Sequence, residues 1–180
     1  LIVVITTAKK RDSLDWEGEA AKLGISTASE LSNHGALIVE SWNNISKFED
    51  LSGCFFIFDE QRLVGTGAWT KSFQRIAKCN RWIMLSATPG DTWIDYIPVF
   101  VANGFYKSAY EFKLKHVVFE PYVKYPKIRG YIGESKLELL RNDILVEMPY
   151  LKHTERVHNY MEMAFDKAMM DVVVKRRWNP

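Results

Sequence analysis

The feature that most constrains the fold is the run from Cys54 to Glu60, where four consecutive apolar residues lead into two adjacent carboxylates. Such a run, without polar alternation, is typical of a strand buried on both faces of a parallel sheet. The acids Asp59 and Glu60 then lie where the strand ends. Ligands of open α/β sheets bind at the carboxyl ends of strands, so this position predicts a ligand site.

The two acids suit a magnesium-dependent hydrolysis. Asp59 would hold the metal, directly or through water, and Glu60 would accept a proton from an attacking water. The alternative is that the Asp-Glu pair only ends a strand before a turn, because a short motif by itself is a weak signal.

A second apolar run follows, from Trp82 to Leu85, and it ends in the polar segment Ser86-Ala87-Thr88. Between the two runs, apolar residues at helical spacing predict a helix over 69–78. A strand, a helix and a strand of these lengths form a parallel crossover unit. We therefore expect Asp59 and Ser86 to emerge side by side at one edge of a sheet.

These motifs resemble those of a known family, the superfamily two helicases, and within it the Swi/Snf-like DNA translocases and their phage-encoded relatives. The segment Asp59-Glu60-Gln61-Arg62 is similar to their motif II, and Ser86-Ala87-Thr88-Pro89 is similar to their motif III. The basic stretch that begins at Arg141 is similar to the segment that closes their first motor lobe. Gln61 and Arg62 depart from the Ala-His that many relatives carry there, which puts the coupling to motif III in doubt.

The resemblance implies an ATP-dependent DNA helicase or translocase with a RecA-like three-layer α/β sandwich and a mostly parallel sheet. Asp59 would bind magnesium and Glu60 would be the catalytic base. Ser86, Ala87 and Thr88 would couple nucleotide state to the grip on DNA. The implied ligands of the complete enzyme are ATP and magnesium, and the implied partner is double-stranded DNA.

The resemblance also implies DNA contacts near the start of the chain. An apolar, β-branched strand at 1–7 leads into a basic loop, Lys9-Lys10-Arg11, at the position of the family's motif Ia, and a helix capped by Asp12 or Ser13 follows. Phosphate contacts need charge and reach, which these side chains have. Trp42, at the end of a further strand at 36–42, would stack on a base. The alternatives are a solvated basic loop and a tryptophan packed in the core.

We expect a partial helicase lobe over 1–116, a hairpin or loop insertion over 117–133, and the end of the first lobe over 134–180. The insertion interleaves tyrosines with basic residues, which suits either a grip on a nucleic-acid strand or ordinary packing with snorkelling lysines. A further alternative for the whole chain is a non-catalytic remnant of a helicase lobe that binds DNA or a protein.

The sequence contains no Gly-Lys-Ser or Gly-Lys-Thr, the signature of a phosphate-binding Walker loop. We therefore expect a sheet that is incomplete at its N-terminal side, with an exposed apolar edge. The isolated chain would compensate by rearranging, by self-associating or by docking on the missing Walker segment. A second helicase lobe is a further expected partner. The chain alone is expected to bind nucleotide weakly and to be inactive, because phosphoryl transfer relies on positioned charge.

Composition limits the other function classes. The net charge is +2, from 24 basic and 22 acidic residues, so any nucleic-acid affinity comes from local patches of charge. Cys54 and Cys79 do not have the spacing of a metal site or of a disulfide framework. With no signal-peptide or membrane-segment pattern in the sequence, we expect a cytoplasmic protein of a bacterial or phage-infected cell.

Overall fold

The computed structural model describes residues 1–27, 36–59, 63, 65–86, 90–146, 164 and 166–176. Residues 175 and 176 are described by their backbone alone. The strands are β1 (Ile2–Thr6), β2 (Leu37–Ser41), β3 (Phe55–Asp59), β4 (Arg81–Leu85), β5 (Val117–Phe119) and β6 (Ile128–Tyr131). The α-helices are α1 (Ala8–Asp12), α2 (Asp15–Lys22), α3 (Ala68–Cys79), α4 (Ile97–Ala102), α5 (Ala109–His116), α6 (Glu134–Ile144) and α7 (Lys167–Arg176). Two 3-10 segments run over Trp42–Phe48 and Trp93–Tyr96.

Four strands form a parallel sheet in the order β2-β1-β3-β4. Helix α3 connects β3 to β4, as the apolar spacing predicted, and Asp59 is in register with Leu85. The predicted α/β class, the parallel pairing and the shared edge of β3 and β4 are therefore confirmed.

The larger core lies on one face of this sheet. Alternate residues of β1 and β3, including Val3, Ile5, Phe56 and Phe58, are buried there against α3 and the first 3-10 segment. Phe58 is central, because its ring contacts four other aromatic rings, which belong to Trp42, Phe56, Phe73 and Trp82. Aromatic contacts of this kind add to the free energy gained by burying apolar area.

The opposite face of the sheet is only partly covered. Helix α2 packs over β1 and β2, where Val4, Ala20 and Leu37 are buried. At β4, Ile83 is 42% exposed and Leu85 is 39% exposed, and among the described residues β4 pairs with β3 alone. In the described part of the sheet, β4 is therefore an edge strand that bears partly exposed apolar side chains. The expectation that the sheet is incomplete at its N-terminal side stays a prediction.

The start of the chain differs from the prediction. Residues 8–11, expected as a loop, lie in helix α1, and the N-cap is Thr7, whose hydroxyl accepts a hydrogen bond from the Lys10 backbone N–H. Asp12 and Ser13 were wrong as N-caps of the helix expected after them. That helix is α2, whose N-cap is Leu14, because Asp12 still belongs to α1 and Ser13 is the C-cap of α1. A threonine at the end of β1 supplies the acceptor that the first helical turn needs, so the chain passes from strand to helix without a loop.

A second core is built from α4, α5, α6 and the antiparallel hairpin β5–β6. Phe100, Phe112 and Leu137 are fully buried in it. The buried His116 contacts the Tyr106 hydroxyl and the Ile132 carbonyl oxygen, at 2.8 and 2.7 Å. The hairpin expected within 117–133 is therefore present and packs on its neighbours, while the domain division at residues 116 and 133 stays a prediction.

The contacts between residues divide the chain into two compact units, Leu1–Leu145 and Val146–Pro180. The first contains both cores. In the second, apolar residues at helical spacing predict a helix over 164–177, and the described residues form helix α7 within that range. The alternating pattern at 156–163 predicts a strand, and these residues lie outside the described part of the chain.

The packing of Phe58 leads to a stability prediction. Phe58→Ala should lower the free energy of unfolding by about 3–5 kcal/mol, because it leaves a cavity among the aromatic rings. Urea denaturation measures the change. The control is Tyr110→Ala, where the ring is 74% exposed and the expected change is within about 0.5 kcal/mol. Similar losses in the two variants would contradict the assignment of the core.

Candidate functional site

The candidate site centres on Asp59, the last residue of β3. Its side chain lies at the carboxyl edge of the sheet and is only 5% exposed. A buried carboxylate is costly unless it is paired and hydrogen-bonded. Its partners therefore decide what it can do.

Three side chains donate to a single oxygen of Asp59, Oδ2. Thr6 Oγ1 lies 2.9 Å away, and Lys10 Nζ and Trp16 Nε1 each lie 3.2 Å away. The donors come from β1, α1 and α2, so one carboxylate joins three consecutive elements to β3. Among the described residues, no donor contacts the other oxygen, Oδ1.

The main chain of Asp59 is also held. Its carbonyl oxygen accepts a hydrogen bond of 3.0 Å from Trp42 Nε1, and the Trp42 ring packs against Phe58 and Trp69. Trp42 is 3% exposed, so it has no open face for a base to stack on. The prediction of Trp42 as a DNA contact is corrected here to its alternative, a packed core residue.

The basic cluster at 9–11 is largely engaged within the protein. Lys10 pairs with Asp59. Arg11 pairs with Asp12 and with Glu40, at 2.7 and 2.9 Å, and Lys9 is exposed. Of the three predicted phosphate contacts, only Lys9 presents its charge without a described ion pair.

Glu40, near the end of β2, is held strongly in its charged form. Burial raises its pKa, but hydrogen bonds from the Ser41 backbone N–H, Arg11 and Asn44, together with the charge of Lys47, outweigh burial and lower the pKa to about 2. Arg11 therefore has a permanent anionic partner at neutral pH. This ion pair anchors α1 to the end of β2.

The remaining predicted site residues are only partly described. Ser86 directly follows β4 and is half-buried, so it shares the carboxyl edge with Asp59 as expected. Glu60, Ala87 and Thr88 lie outside the described residues. Their roles as base and as coupling residues stay predictions.

The described residues fit magnesium only in a limited way. They contain no group of three or more His, Cys, Asp or Glu side chains placed to hold a metal ion. Magnesium in nucleotide enzymes is often bound by one or two carboxylates together with phosphate oxygens and water, which a single Asp59 can satisfy through Oδ1. Asp59 therefore suits a magnesium–nucleotide complex and does not form a site for the ion alone.

Sequence reasoning missed Thr6, Trp16 and Glu40. Thr6 had one available signal, since it ends a strand that was expected to be parallel to β3, and parallel strands end at the same edge. Trp16 and Glu40 had none, because they reach Asp59 and Arg11 across 43 and 29 positions of the chain. Only the packing of α2 and α1 on the sheet brings these pairs together.

Comparison with known proteins gives no match: no protein-family model, curated protein or solved structure matches this chain. Within the part of the chain that the structure describes, no helix has both the length and the apolar surface needed to cross a membrane. The family resemblance therefore depends on the sequence motifs alone.

Glu40 gives a pH prediction. Its pKa is about 2 in the folded chain against an ordinary 4.5, so the unfolded chain takes up the proton first as the pH falls. The stability that Glu40 contributes is complete above pH 4.5 and is lost between 4.5 and about 2. After allowing for solvent screening, we expect Glu40→Gln to cost about 1 kcal/mol at neutral pH.

The measurement is the free energy of unfolding of the wild type and of Glu40→Gln as a function of pH. The two curves should converge as the pH drops through this window. Glu19→Gln is the control, because Glu19 forms a pair with Lys22 in which both side chains are about two-thirds exposed. A constant difference between wild type and Glu40→Gln from neutral pH down to about 2 would contradict the pKa assignment.

Proposed function

We propose that this chain is part of the first motor lobe of an ATP-dependent DNA helicase or translocase of superfamily two, with a RecA-like sheet. The observation that carries the proposal is the position of Asp59. It is a buried acid at the carboxyl end of an inner parallel strand, beside the strand β4, which Ser86 directly follows. This is the edge at which nucleotides bind in open α/β sheets.

The roles within the proposal follow from the chemistry of the side chains. Asp59 offers Oδ1 to the magnesium of a magnesium–nucleotide complex, and Glu60 accepts the proton of the attacking water. Ser86, Ala87 and Thr88 lie beyond β4 in the sequence and link this edge to DNA binding. Magnesium, when bound with nucleotide, supplies charge stabilisation at the phosphates.

Lys10 partly neutralises the negative charge of Asp59. Its ammonium group lies 3.2 Å from Oδ2 and is about one-third exposed. A cation that approaches Asp59 therefore meets a carboxylate that is already partly neutralised. This lowers the affinity of the chain for magnesium and agrees with the expectation that nucleotide binds weakly to the chain alone.

The proposal includes a partner segment. The phosphates need a Walker loop, whose signature does not occur in this sequence. The described sheet has two edge strands, β2 and β4, and β4 is the one on which Ile83 and Leu85 are exposed. A segment that pairs there would bury apolar surface beside the Asp59 edge, and self-association at the same edge is the alternative.

A second function is favoured by one observation. Asp59 Oδ2 already receives three donors, and Lys10 and Arg11 are both engaged in ion pairs. A site that is saturated in this way also fits a lobe remnant that binds DNA or a protein without nucleotide turnover. In this alternative Asp59 is a purely structural residue.

Magnesium–ATP titration distinguishes the two functions. We compare the wild type with Asp59→Asn, which keeps an acceptor for Thr6 and Trp16 but removes the charge, and with Lys10→Gln, which removes the competing ammonium. The motor proposal predicts weak binding by the wild type, weaker binding by Asp59→Asn and tighter binding by Lys10→Gln, without turnover in any of them. Equal affinity in all three, or no binding up to millimolar nucleotide, would favour the remnant.

A complementary test uses a complete motor that includes this chain and a Walker segment. There Glu60→Gln should abolish ATP hydrolysis while nucleotide binding is retained, because only the proton acceptor is lost. Hydrolysis that persists in Glu60→Gln would contradict the role of Glu60. Thermal unfolding of each variant checks that the fold is intact.

A further inference from the structure

A cleft of about 350 Å³ lies between α3, α4 and the start of α5, within the unit Leu1–Leu145. Its apolar base includes Ile97 and Val101 of α4. Its rim carries four basic side chains, which belong to Lys71, Arg75, Lys78 and Lys107. No sequence motif drew attention to this surface. Lys71, Arg75 and Lys78 belong to α3, and only the fold brings Lys107 and the apolar residues of α4 beside them.

The charge of the cleft is uniform. None of the residues that line it is an aspartate or a glutamate. Arg75 pairs with Glu49, which lies outside the lining, whereas Lys71 and Lys78 are exposed and form no described ion pair. Lys107 is exposed too, and its charge acts on Glu111, which lies outside the lining and accepts a hydrogen bond from the Lys107 backbone N–H. In a chain of net charge +2, this is a local concentration of positive charge that attracts anions.

The spacing of the charges indicates the kind of anion. Lys71, Arg75 and Lys78 lie four and three residues apart, so they share one face of α3 over about 10 Å. The phosphates of one nucleic-acid strand rise by about 3.4 Å each along the helix axis. A row of cations of this length spans several phosphates, whereas a single small anion needs cations that converge on one point.

The other lining groups suit a phosphodiester backbone. The hydroxyls of Thr66 and Ser108 lie at the cleft and are exposed. Hydroxyl and lysine side chains are common donors to phosphate oxygens, and such contacts position a nucleic acid without reading its sequence. No aromatic side chain lines the cleft, so base stacking has no platform there.

We propose that this cleft binds the phosphodiester backbone of DNA through Lys71, Lys78 and Lys107, independently of base sequence. The proposal deepens the proposed function, on which it rests for the class of partner, and it places a DNA contact on α3 and α5. It does not depend on nucleotide chemistry at Asp59. The cleft offers several exposed cations to DNA. In the basic cluster at 9–11, only Lys9 has no described ion pair.

The test is DNA binding by the whole chain, followed by fluorescence anisotropy with a labelled duplex and with a single strand. The variant is Lys71→Gln/Lys78→Gln. Its matched control is Lys136→Gln/Lys167→Gln, which removes the same charge at two exposed positions outside the cleft that form no described ion pair. Both lysines of the test variant are exposed on α3, so the melting temperature should not change.

We expect the cleft variant to weaken duplex binding by at least about fivefold, with little effect of the control. Between about 50 and 200 mM salt, the slope of log K against log salt should fall in magnitude by about 1.8 for the duplex, or about 1.4 for the single strand, because two phosphate contacts are lost. The change should be the same for unrelated sequences.

Three results would overturn the inference. Equal weakening by the cleft variant and its control would indicate bulk charge alone, and unchanged binding would place DNA elsewhere. Displacement of DNA by inorganic phosphate at constant ionic strength would indicate a site for a single anion. Lys71→Gln/Lys78→Gln should lose DNA binding and keep magnesium–ATP binding, which supports the cleft. Asp59→Asn should lose magnesium–ATP binding and keep DNA binding, which supports the motor site independently of the cleft.

Discussion

The fold depends on how the charge of Asp59 is satisfied inside the protein. A single oxygen of this buried carboxylate accepts hydrogen bonds from Thr6, Lys10 and Trp16, and its backbone carbonyl accepts one from Trp42. Strand β1, helices α1 and α2 and the first 3-10 segment are thereby fixed to the end of β3. Removing one partner of such a network leaves an uncompensated polar group, which costs more than the bond itself contributes.

The same arrangement limits what the site can do. An acid that holds the fold together through Oδ2 can bind a cation only through Oδ1 or after Lys10 moves away. The same geometry is therefore compatible with either proposal, a weak magnesium–nucleotide site or a structural remnant. The basic side chains fall into two groups. Lys10 and Arg11 form ion pairs within the protein, whereas the lysines of the α3 cleft are exposed to solvent.

Local sequence patterns predicted much of the sheet. The two apolar runs predicted strands β3 and β4, and the helical spacing between them predicted helix α3. The parallel pairing of the two strands followed because a connection that contains a helix is long enough for a crossover. Helix α1 was missed because Thr7, still within the apolar strand pattern, is its cap. The partners of Asp59 lie 43 to 53 residues away, and only tertiary packing brings them together. The sequence allowed Trp42 either to stack on a base or to pack in the core, and its burial shows that it packs in the core.

The most direct test of this account is a double-mutant cycle on the Asp59–Lys10 pair. The free energy of unfolding is measured for the wild type, Asp59→Asn, Lys10→Gln and the double variant. The account predicts a coupling energy of about 1–3 kcal/mol, above the value usual for exposed ion pairs, because Asp59 is buried. A coupling energy near zero would contradict it, and would mean that the fold does not depend on this charge pair.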